Sequence, residues 1–298
     1  MSWPASSTSI PPRWHSGPAP PSRRMGQRDG SGPLGVSPTM TIDDRLPRPE
    51  LARWNRTVRY YTSRIVVGVL MRVIFRLRVE GGEHLAKGPA IYCFNHLNWT
   101  DPFLLYATLP MRPRTYFFGP REDDLRVGPR NRMMYWTAAA VPYRPAKTDL
   151  LEVTRRVAAV FQAGGVLAIA GEGRIHVGER DLLQIQEGTA YFALRSGVPI
   201  IPVAISGTSW LGFRRRLRVR IGRPIAATGR PTGEAVTALT AATWLALKAM
   251  VADADEPPRP GRFGRWLTEL FNDWPEGSRE ASAEVSGPSG ILSADPGT

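Results

Sequence analysis

Short apolar stretches alternate with amphipathic stretches through the middle of the chain. Runs that are too short for a helix, or that alternate apolar and polar positions, predict strands over 75–79, 90–94, 166–170, 200–205 and 216–221. Helical spacing follows over 153–162, 188–195 and 234–252, and Asp101-Pro102 is typical of a helix start with a capping aspartate. Strands separated by helices predict an α/β fold with a mixed, largely parallel central sheet flanked by helices.

An N-terminal helix is predicted before the first strand. Apolar side chains recur there at helical spacing, at Leu51, Trp54, Val58, Tyr61 and Ile65. The stretch 51–79 contains seven arginines and no acidic residue, and the arginines before Ile65 fall away from the apolar face. This pattern predicts a basic amphipathic helix suited to a membrane interface. A helix packed on the domain with a solvated arginine face fits it equally well.

A second apolar stripe follows the prolines at 257–260. Its members have helical spacing and are largely aromatic: Phe263, Trp266, Leu267, Leu270, Phe271 and Trp274. We predict that this helix packs on the core, with membrane docking as the second interpretation.

The charge of the chain narrows the classes of partner. The 39 lysines and arginines exceed the 26 aspartates and glutamates, so the net charge is +13 and favours polyanions such as anionic lipid, nucleic acid or phosphorylated ligands.

A signal peptide pattern is absent from the start of the sequence, and no run of about 18 apolar residues predicts a membrane span. We therefore expect a peripheral or monotopic protein at the cytoplasmic face of the plasma membrane. Cys93 is the single cysteine and is predicted to be buried.

The candidate chemistry lies directly after the predicted strand 90–94. His96 is at the carboxyl end of that strand, where α/β proteins bind their ligands, and Asp101 follows five positions later. A carboxylate that folds back onto the ring would fix the imidazole tautomer and stabilise the imidazolium. An isolated pair at this spacing is also common by chance, and Asp101 is equally explained as a helix cap.

Four stretches, in order, resemble the motifs of the glycerolipid acyltransferase family. Residues 95–101 resemble its Asn-His-x4-Asp motif, 139–144 its second motif ending at Arg144, 171–174 its Glu-Gly motif, and 198–203 its fourth. The resemblance covers roughly 75–225. The chain departs from the family pattern at Asn98, at Ala139 and Ala140, and at Arg174, which comes one place early.

This resemblance implies an O-acyltransferase of the lysophospholipid type. Its donor would be acyl-CoA or acyl carrier protein, with no cofactor and no metal. The first expected acceptor is 1-acyl-sn-glycerol-3-phosphate, giving phosphatidic acid, and another lysolipid or a glycolipid is the alternative. His96 would be the base and Asp101 its partner. The implied substrate-binding residues are Asn95, Arg144, Glu172, Gly173 and Arg174, with the arginines on phosphate and Glu172 on an acceptor hydroxyl or an arginine.

The change of pattern along the chain divides it into five predicted parts. These are a disordered Pro/Ser/Arg-rich arm (1–45), a membrane-associating helical segment (46–74), the catalytic domain (75–228), C-terminal helices (229–275) and a disordered tail (276–298).

Two other functions remain open from the residues alone. A hydrolase would use the same His–Asp pair on water. A non-enzymatic basic protein would bind anionic membranes or nucleic acid, although no nucleic-acid-binding motif is present and we expect no nucleic acid partner. A second basic cluster, Arg214, Arg215, Arg216, Arg218, Arg220 and Arg223, fits anionic lipid, an acyl carrier, or a solvated edge strand.

Overall fold

The computed structural model describes residues 53–121, 134–137, 139–143, 150–176 and 178–272. The helices are α1 (Arg53–Ile74), α2 (Asp101–Thr108), α3 (Leu150–Gln162), α4 (Gly188–Ser196), α5 (Gly233–Val251) and α6 (Arg262–Asn272). The strands are β1 (Arg76–Glu80), β2 (Ile91–Phe94), β3 (Thr115–Arg121), β4 (Ala140–Tyr143), β5 (Val166–Ala170), β6 (Ile200–Ser206) and β7 (Arg216–Ile221). The predicted arm (1–45), the tail (276–298) and Arg144 lie outside these described residues.

Within the described ranges the strands form one seven-stranded sheet in the order β1-β7-β6-β2-β5-β3-β4. Every neighbouring pair is parallel except β6 and β7, which confirms the predicted mixed, largely parallel sheet. The predicted edge position of β7 is wrong, because β1 occupies that edge and β7 lies between β1 and β6. Two arginines of β7 that suggested a solvated edge instead form ion pairs, Arg218 with Glu80, and Arg220 with Glu80 and Asp253.

The core lies on both faces of the sheet. Successive strand side chains point to opposite faces, and in β2 this separates Tyr92 and Phe94 from Ile91 and Cys93. Tyr92 and Phe94 pack in the layer formed with α1 and α2, whereas Ile91 and Cys93 pack in the layer formed with α3, α4 and α5. The His96 loop therefore begins at a strand that is buried on both sides.

The orientation of α1 differs from the predicted one. Arg56 and Arg64 are buried, and the exposed apolar side chains of this helix are Val58, Ile65, Val66, Val69, Leu70 and Val73. The physical reason is local to the end of α2. The Arg64 guanidinium donates to the carbonyls of Leu109 and Pro110 and lies over the Tyr106 ring, so it satisfies acceptors that a helix terminus leaves without intrahelical partners. The aliphatic side of α1 consequently faces outward.

The predicted core packing of the second aromatic stripe is also wrong for most of its described members. Leu267 packs against the core, but Phe263, Trp266 and Leu270 are exposed. The side chain of Phe271, and Trp274 as a whole, lie outside the described residues.

Among the residues that the structure describes, one helix, α5, is long and apolar enough to cross a membrane by length and composition. This differs from the expectation of no such segment. In the structure α5 packs against β6 and α4 and buries Val236, Leu239 and Leu247, so its apolar residues also serve the sheet's outer layer.

Candidate active site

The loop between β2 and α2 is fixed to the neighbouring strand by Asn95. Its side-chain amide donates to the Ile205 carbonyl at 3.0 Å and accepts from the Ile205 N–H at 2.7 Å. An amide side chain carries the same donor and acceptor pair as the backbone, so Asn95 extends the β2–β6 pairing past Phe94. It is fully buried. Its place in the structure is thus the base of the loop, which differs from the substrate contact implied by the resemblance.

His96 and Asp101 meet across this loop. His96 Nδ1 lies 2.9 Å from Asp101 Oδ2, and the same oxygen accepts the backbone N–H groups of Leu97 at 2.7 Å and Asn98 at 2.8 Å. The Asp101 side chain is fully buried, whereas 15% of the His96 side chain is exposed. A Nδ1–H that donates to the carboxylate leaves Nε2 as the ring's proton acceptor.

The predicted capping role of Asp101 is wrong. The N-cap residue is Thr100, and Asp101 is the first residue of α2 and is followed by Pro102. Its carboxylate turns back to the preceding loop because the two loop N–H groups and the His96 ring converge on it.

Glu172 holds the backbone of His96 from the other side. Its Oε2 accepts the His96 N–H at 2.8 Å, and its Oε1 accepts the Leu183 N–H at 2.9 Å. The side chain is buried, so the structure places this carboxylate behind the loop and not against an acceptor hydroxyl. Gly173, the next residue, has a left-handed φ of 70°, a conformation that favours glycine at this turn.

His176 completes this support. Its backbone N–H donates to the His96 carbonyl at 3.0 Å, its Nδ1 lies 3.1 Å from Glu172 Oε1, and its Nε2 lies 3.0 Å from the Asp181 carbonyl. Burial opposes the imidazolium form, but the contact with Glu172 and the Asp181 carbonyl raise the pKa of His176 above its ordinary value. The spacing Glu172-x3-His176 was the available signal.

Glu179 is a third buried carboxyl group at this edge of the sheet. It accepts the backbone N–H groups of Gly207 at 2.8 Å and Ser209 at 3.0 Å, and so orders the loop after β6. Burial raises its pKa to about 7, and the charge of Asp101 acts in the same direction. No motif pointed to this residue.

The ring of His96 faces a cavity of about 560 Å³. Most of its wall is aromatic or aliphatic, and it includes Phe94, Trp99, Phe117, Phe118, Tyr143 and Phe192. Gly173 and Arg174 also line it, and the Arg174 side chain is exposed. The structure therefore brings His96, Gly173 and Arg174 together at the cavity and places Asp101, Glu172 and Asn95 behind it.

The C-terminal helix reaches this site. The side-chain oxygen of Asn272, the last residue of α6, accepts the Trp99 N–H at 2.9 Å, and Thr268 Oγ1 accepts the Leu211 N–H at 2.8 Å. Sequence reasoning had no signal for either contact, because both join segments far apart in the chain.

Cys93 lies on β2, in the core behind this site. Cys93 is fully buried as predicted, and burial raises the pKa of its thiol to about 12. In the part of the chain that the structure describes, no group of three or more His, Cys, Asp and Glu side chains is placed to hold a metal ion.

Comparisons with known proteins agree with this architecture. Residues 76–206 match the family model described as Acyltransferase. A lyso-ornithine lipid O-acyltransferase of Pseudomonas aeruginosa is 28% identical over 174 residues, which cover 58% of this chain and 62% of the relative. The crystal structure of the 1-acyl-sn-glycerophosphate acyltransferase from Thermotoga maritima has the same fold, with a TM-score of 0.52 and 17% identity over 70% of this chain and 87% of that one. The helices α1, α5 and α6 lie outside the family-model match.

Proposed function

We propose that this chain is a member of the glycerolipid acyltransferase family and that it transfers a fatty acyl chain from a thioester donor to a hydroxyl group of a lysolipid, as the family-model match and the similar proteins support. The observation that carries the proposal is the His96–Asp101 pair, 2.9 Å apart, with the ring at the wall of an apolar cavity. Such a pair supplies a positioned base, and the cavity supplies a place for an acyl chain.

The reaction follows from this geometry. His96 Nε2 accepts the proton of the acceptor hydroxyl while its oxygen attacks the thioester carbonyl carbon. The buried Asp101 carboxylate stabilises the imidazolium that forms, which lowers the barrier to proton removal. When the carbon–sulfur bond breaks, the imidazolium returns the proton to the departing thiolate. The products are an ester and a free thiol, and the His96 base is regenerated.

We propose 1-acyl-sn-glycerol-3-phosphate as the acceptor and phosphatidic acid as the product. The exposed Arg174 guanidinium beside His96 supports this choice, because a guanidinium pairs with phosphate by charge-assisted hydrogen bonds. A lyso-ornithine lipid is the second candidate, and the name of the Pseudomonas aeruginosa relative favours it. The donor is acyl-CoA or acyl carrier protein.

The exposed aliphatic side of α1 supports a membrane location for this reaction. Ile65, Val66, Val69, Leu70 and Val73 recur at helical spacing on its outer side, and Arg72 lies beside them. Apolar side chains flanked by arginine are typical of helices that lie in the interface of anionic membranes. We propose that α1 rests on the cytoplasmic face of the plasma membrane.

The test is acyl transfer by the purified protein from radiolabelled oleoyl-CoA to a panel of lysolipids that includes both candidate acceptors. Wild type should form a labelled diacyl lipid, and His96→Ala should not. His84→Ala is the matched control, since His84 follows the carboxyl end of β1, which runs opposite to β2. If wild type releases only free fatty acid, the protein is a hydrolase. If neither oleoyl-CoA nor an acyl carrier protein donor yields a labelled lipid, the proposal is rejected.

A further inference from the structure

We propose that α6 and the loop before β7 form a second lipid-binding surface beside the cavity, in addition to α1. This surface, the α6 patch, consists of Phe213, Phe263, Trp266 and Leu270. The inference rests on the proposed function, because it adds a part to the membrane contact at which that function would take place. It concerns residues that neither the motifs nor the family-model match includes.

The α6 patch is strongly exposed. Phe213 is 70% exposed, Phe263 63%, Leu270 55% and Trp266 53%. The spacing of the three α6 residues places them on one side of the helix, and the rings of Phe263 and Trp266 pack together with centroids 5.6 Å apart. Apolar side chains that form a group, instead of being scattered, indicate an interaction site.

The other side of α6 is fixed to the domain. Thr268 accepts the Leu211 N–H, and a Cβ added at Gly264 would lie 2.7 Å from the Leu211 carbonyl, so helix and loop are in close contact there. Leu267 packs against the core. The inner side therefore anchors the helix, and Phe263, Trp266 and Leu270 lie on the exposed outer side. Phe213 projects from the loop that Leu211 belongs to.

Strand directions place the α6 patch at the same edge of the sheet as His96. The strand β6 is parallel to β2, so the loop after β6 and the His96 loop leave the sheet at one edge. The strand β7 is antiparallel to β6, so it begins at that edge, and β1 begins there too because it is parallel to β7. The end of α1 is joined to the same loop, since the backbone N–H of Arg214 donates to the Ile74 carbonyl and the backbone N–H of Arg76 donates to the Arg215 carbonyl. The α6 patch therefore adjoins the end of α1.

The charge around the α6 patch favours an anionic bilayer as the occupant. Exposed arginines flank it on both segments, namely Arg214 and Arg216 in the loop region and Arg262 at the start of α6. Arginine that surrounds tryptophan, phenylalanine and leucine is the composition of interfacial lipid-binding surfaces. The α6 patch and α1 would then both contact the bilayer and hold the cavity beside the lipid that supplies the acceptor.

The experiment measures lipid binding independently of acyl transfer. The full chain is floated with vesicles of phosphatidylglycerol and phosphatidylcholine, and separately with phosphatidylcholine alone. For Phe263→Ser/Trp266→Ser we expect the partition coefficient to fall by about tenfold or more on the anionic vesicles. Leu270→Ser is compared with Leu245→Ser, a leucine on α5 that is 61% exposed, and only the former should weaken binding. Arg214→Glu/Arg262→Glu should weaken binding to the anionic vesicles alone.

Two results would overturn the proposal. One is flotation of the Phe263→Ser/Trp266→Ser variant at the wild-type level, with unchanged circular dichroism. The other is a wild-type dimer, seen by light scattering without lipid, that this variant abolishes, because a second copy would then be the occupant. Neither result depends on whether the protein transfers acyl groups, so a failure of the lipid surface and a failure of the enzymatic function are distinguished.

Discussion

Asp101→Asn is the most direct test of the proposed proton transfer. A single oxygen, Asp101 Oδ2, accepts from the His96 ring and from the N–H groups of Leu97 and Asn98. An asparagine oxygen in the same place still accepts the two backbone N–H groups, so the loop keeps its shape. What the variant lacks is the negative charge opposite the imidazolium. The substitution therefore separates the electrostatic role of Asp101 from its structural one.

The expected magnitude follows from the burial of this carboxylate. A positioned base contributes about 10²–10⁴ in rate, and hydrogen bonds to a charged group are about twice as strong as neutral ones. We expect kcat of Asp101→Asn to fall by about 10²–10³, or roughly 3–4 kcal/mol in the barrier. Asp101→Ala is a poorer test because it leaves two buried N–H groups without an acceptor, at about 1–3 kcal/mol each. That loss is a large part of the roughly 5–15 kcal/mol that stabilises a typical domain.

The assay is steady-state acyl transfer with saturating donor, together with thermal unfolding of each variant. Asp181→Asn is the matched control, because its side chain is exposed and the atom that contacts His176 is its backbone carbonyl oxygen. The reasoning is refuted if Asp101→Asn keeps kcat within about threefold of wild type while His96→Ala is inactive. The base would then work without its carboxylate partner.

Three further predictions concern polar side chains that hold the loops around His96 and after β6. Because the folded pKa of His176 is raised, its pairing with Glu172 stabilises the fold below the unfolded pKa and is lost as pH rises through the folded value. The difference in unfolding free energy between wild type and His176→Gln should thus shrink from about pH 5.5 to pH 9 in urea titrations, and a constant difference contradicts this. The pKa of Glu179 is raised from 4.5 to about 7, so wild type should lose stability relative to Glu179→Gln as pH rises across that interval. Melting temperatures measured against pH test this, and parallel curves for the two proteins would contradict it. Asn272→Ala removes the side-chain oxygen that accepts the Trp99 N–H, so we expect a loss of about 1 kcal/mol in stability and a lower kcat. Unchanged kinetics would show that α6 does not support the site.

Local patterns predicted five of the seven described strands and missed β3 and β4. A strand buried on both faces has a continuous apolar run, as in 166–170, and a strand with one face more buried than the other alternates apolar and polar residues, as in 216–221. The runs 166–170 and 216–221 coincide with β5 and β7. The strand order was not predictable in the same way, since the place of β7 depends on β1, which lies far away in the sequence. The outward face of α1 was missed for a similar reason. Only the carbonyls at the end of α2 explain why Arg64 turns inward.

The same limit separates the predicted from the unpredicted parts of the site. Sequence spacing and resemblance pointed to His96, Asp101, Gly173 and Arg174, which the structure brings together or into contact. Spacing does not tell whether a carboxylate faces a substrate or a backbone N–H. Glu172 was therefore expected at the acceptor, although its oxygens are taken by the N–H groups of His96 and Leu183.

The residues that hold the His96 loop and the residues of the α6 patch are different residues. Asp101 and Glu172 are buried, and each accepts two backbone N–H groups, which offsets the desolvation of their charge and fixes the His96 loop before any substrate arrives. The α6 patch is exposed and contributes none of these contacts. The two sets are joined through α6 itself, whose last residue, Asn272, holds the Trp99 N–H. Changes to the α6 patch should therefore alter membrane binding, and changes at Asn272 should alter how well His96 is positioned.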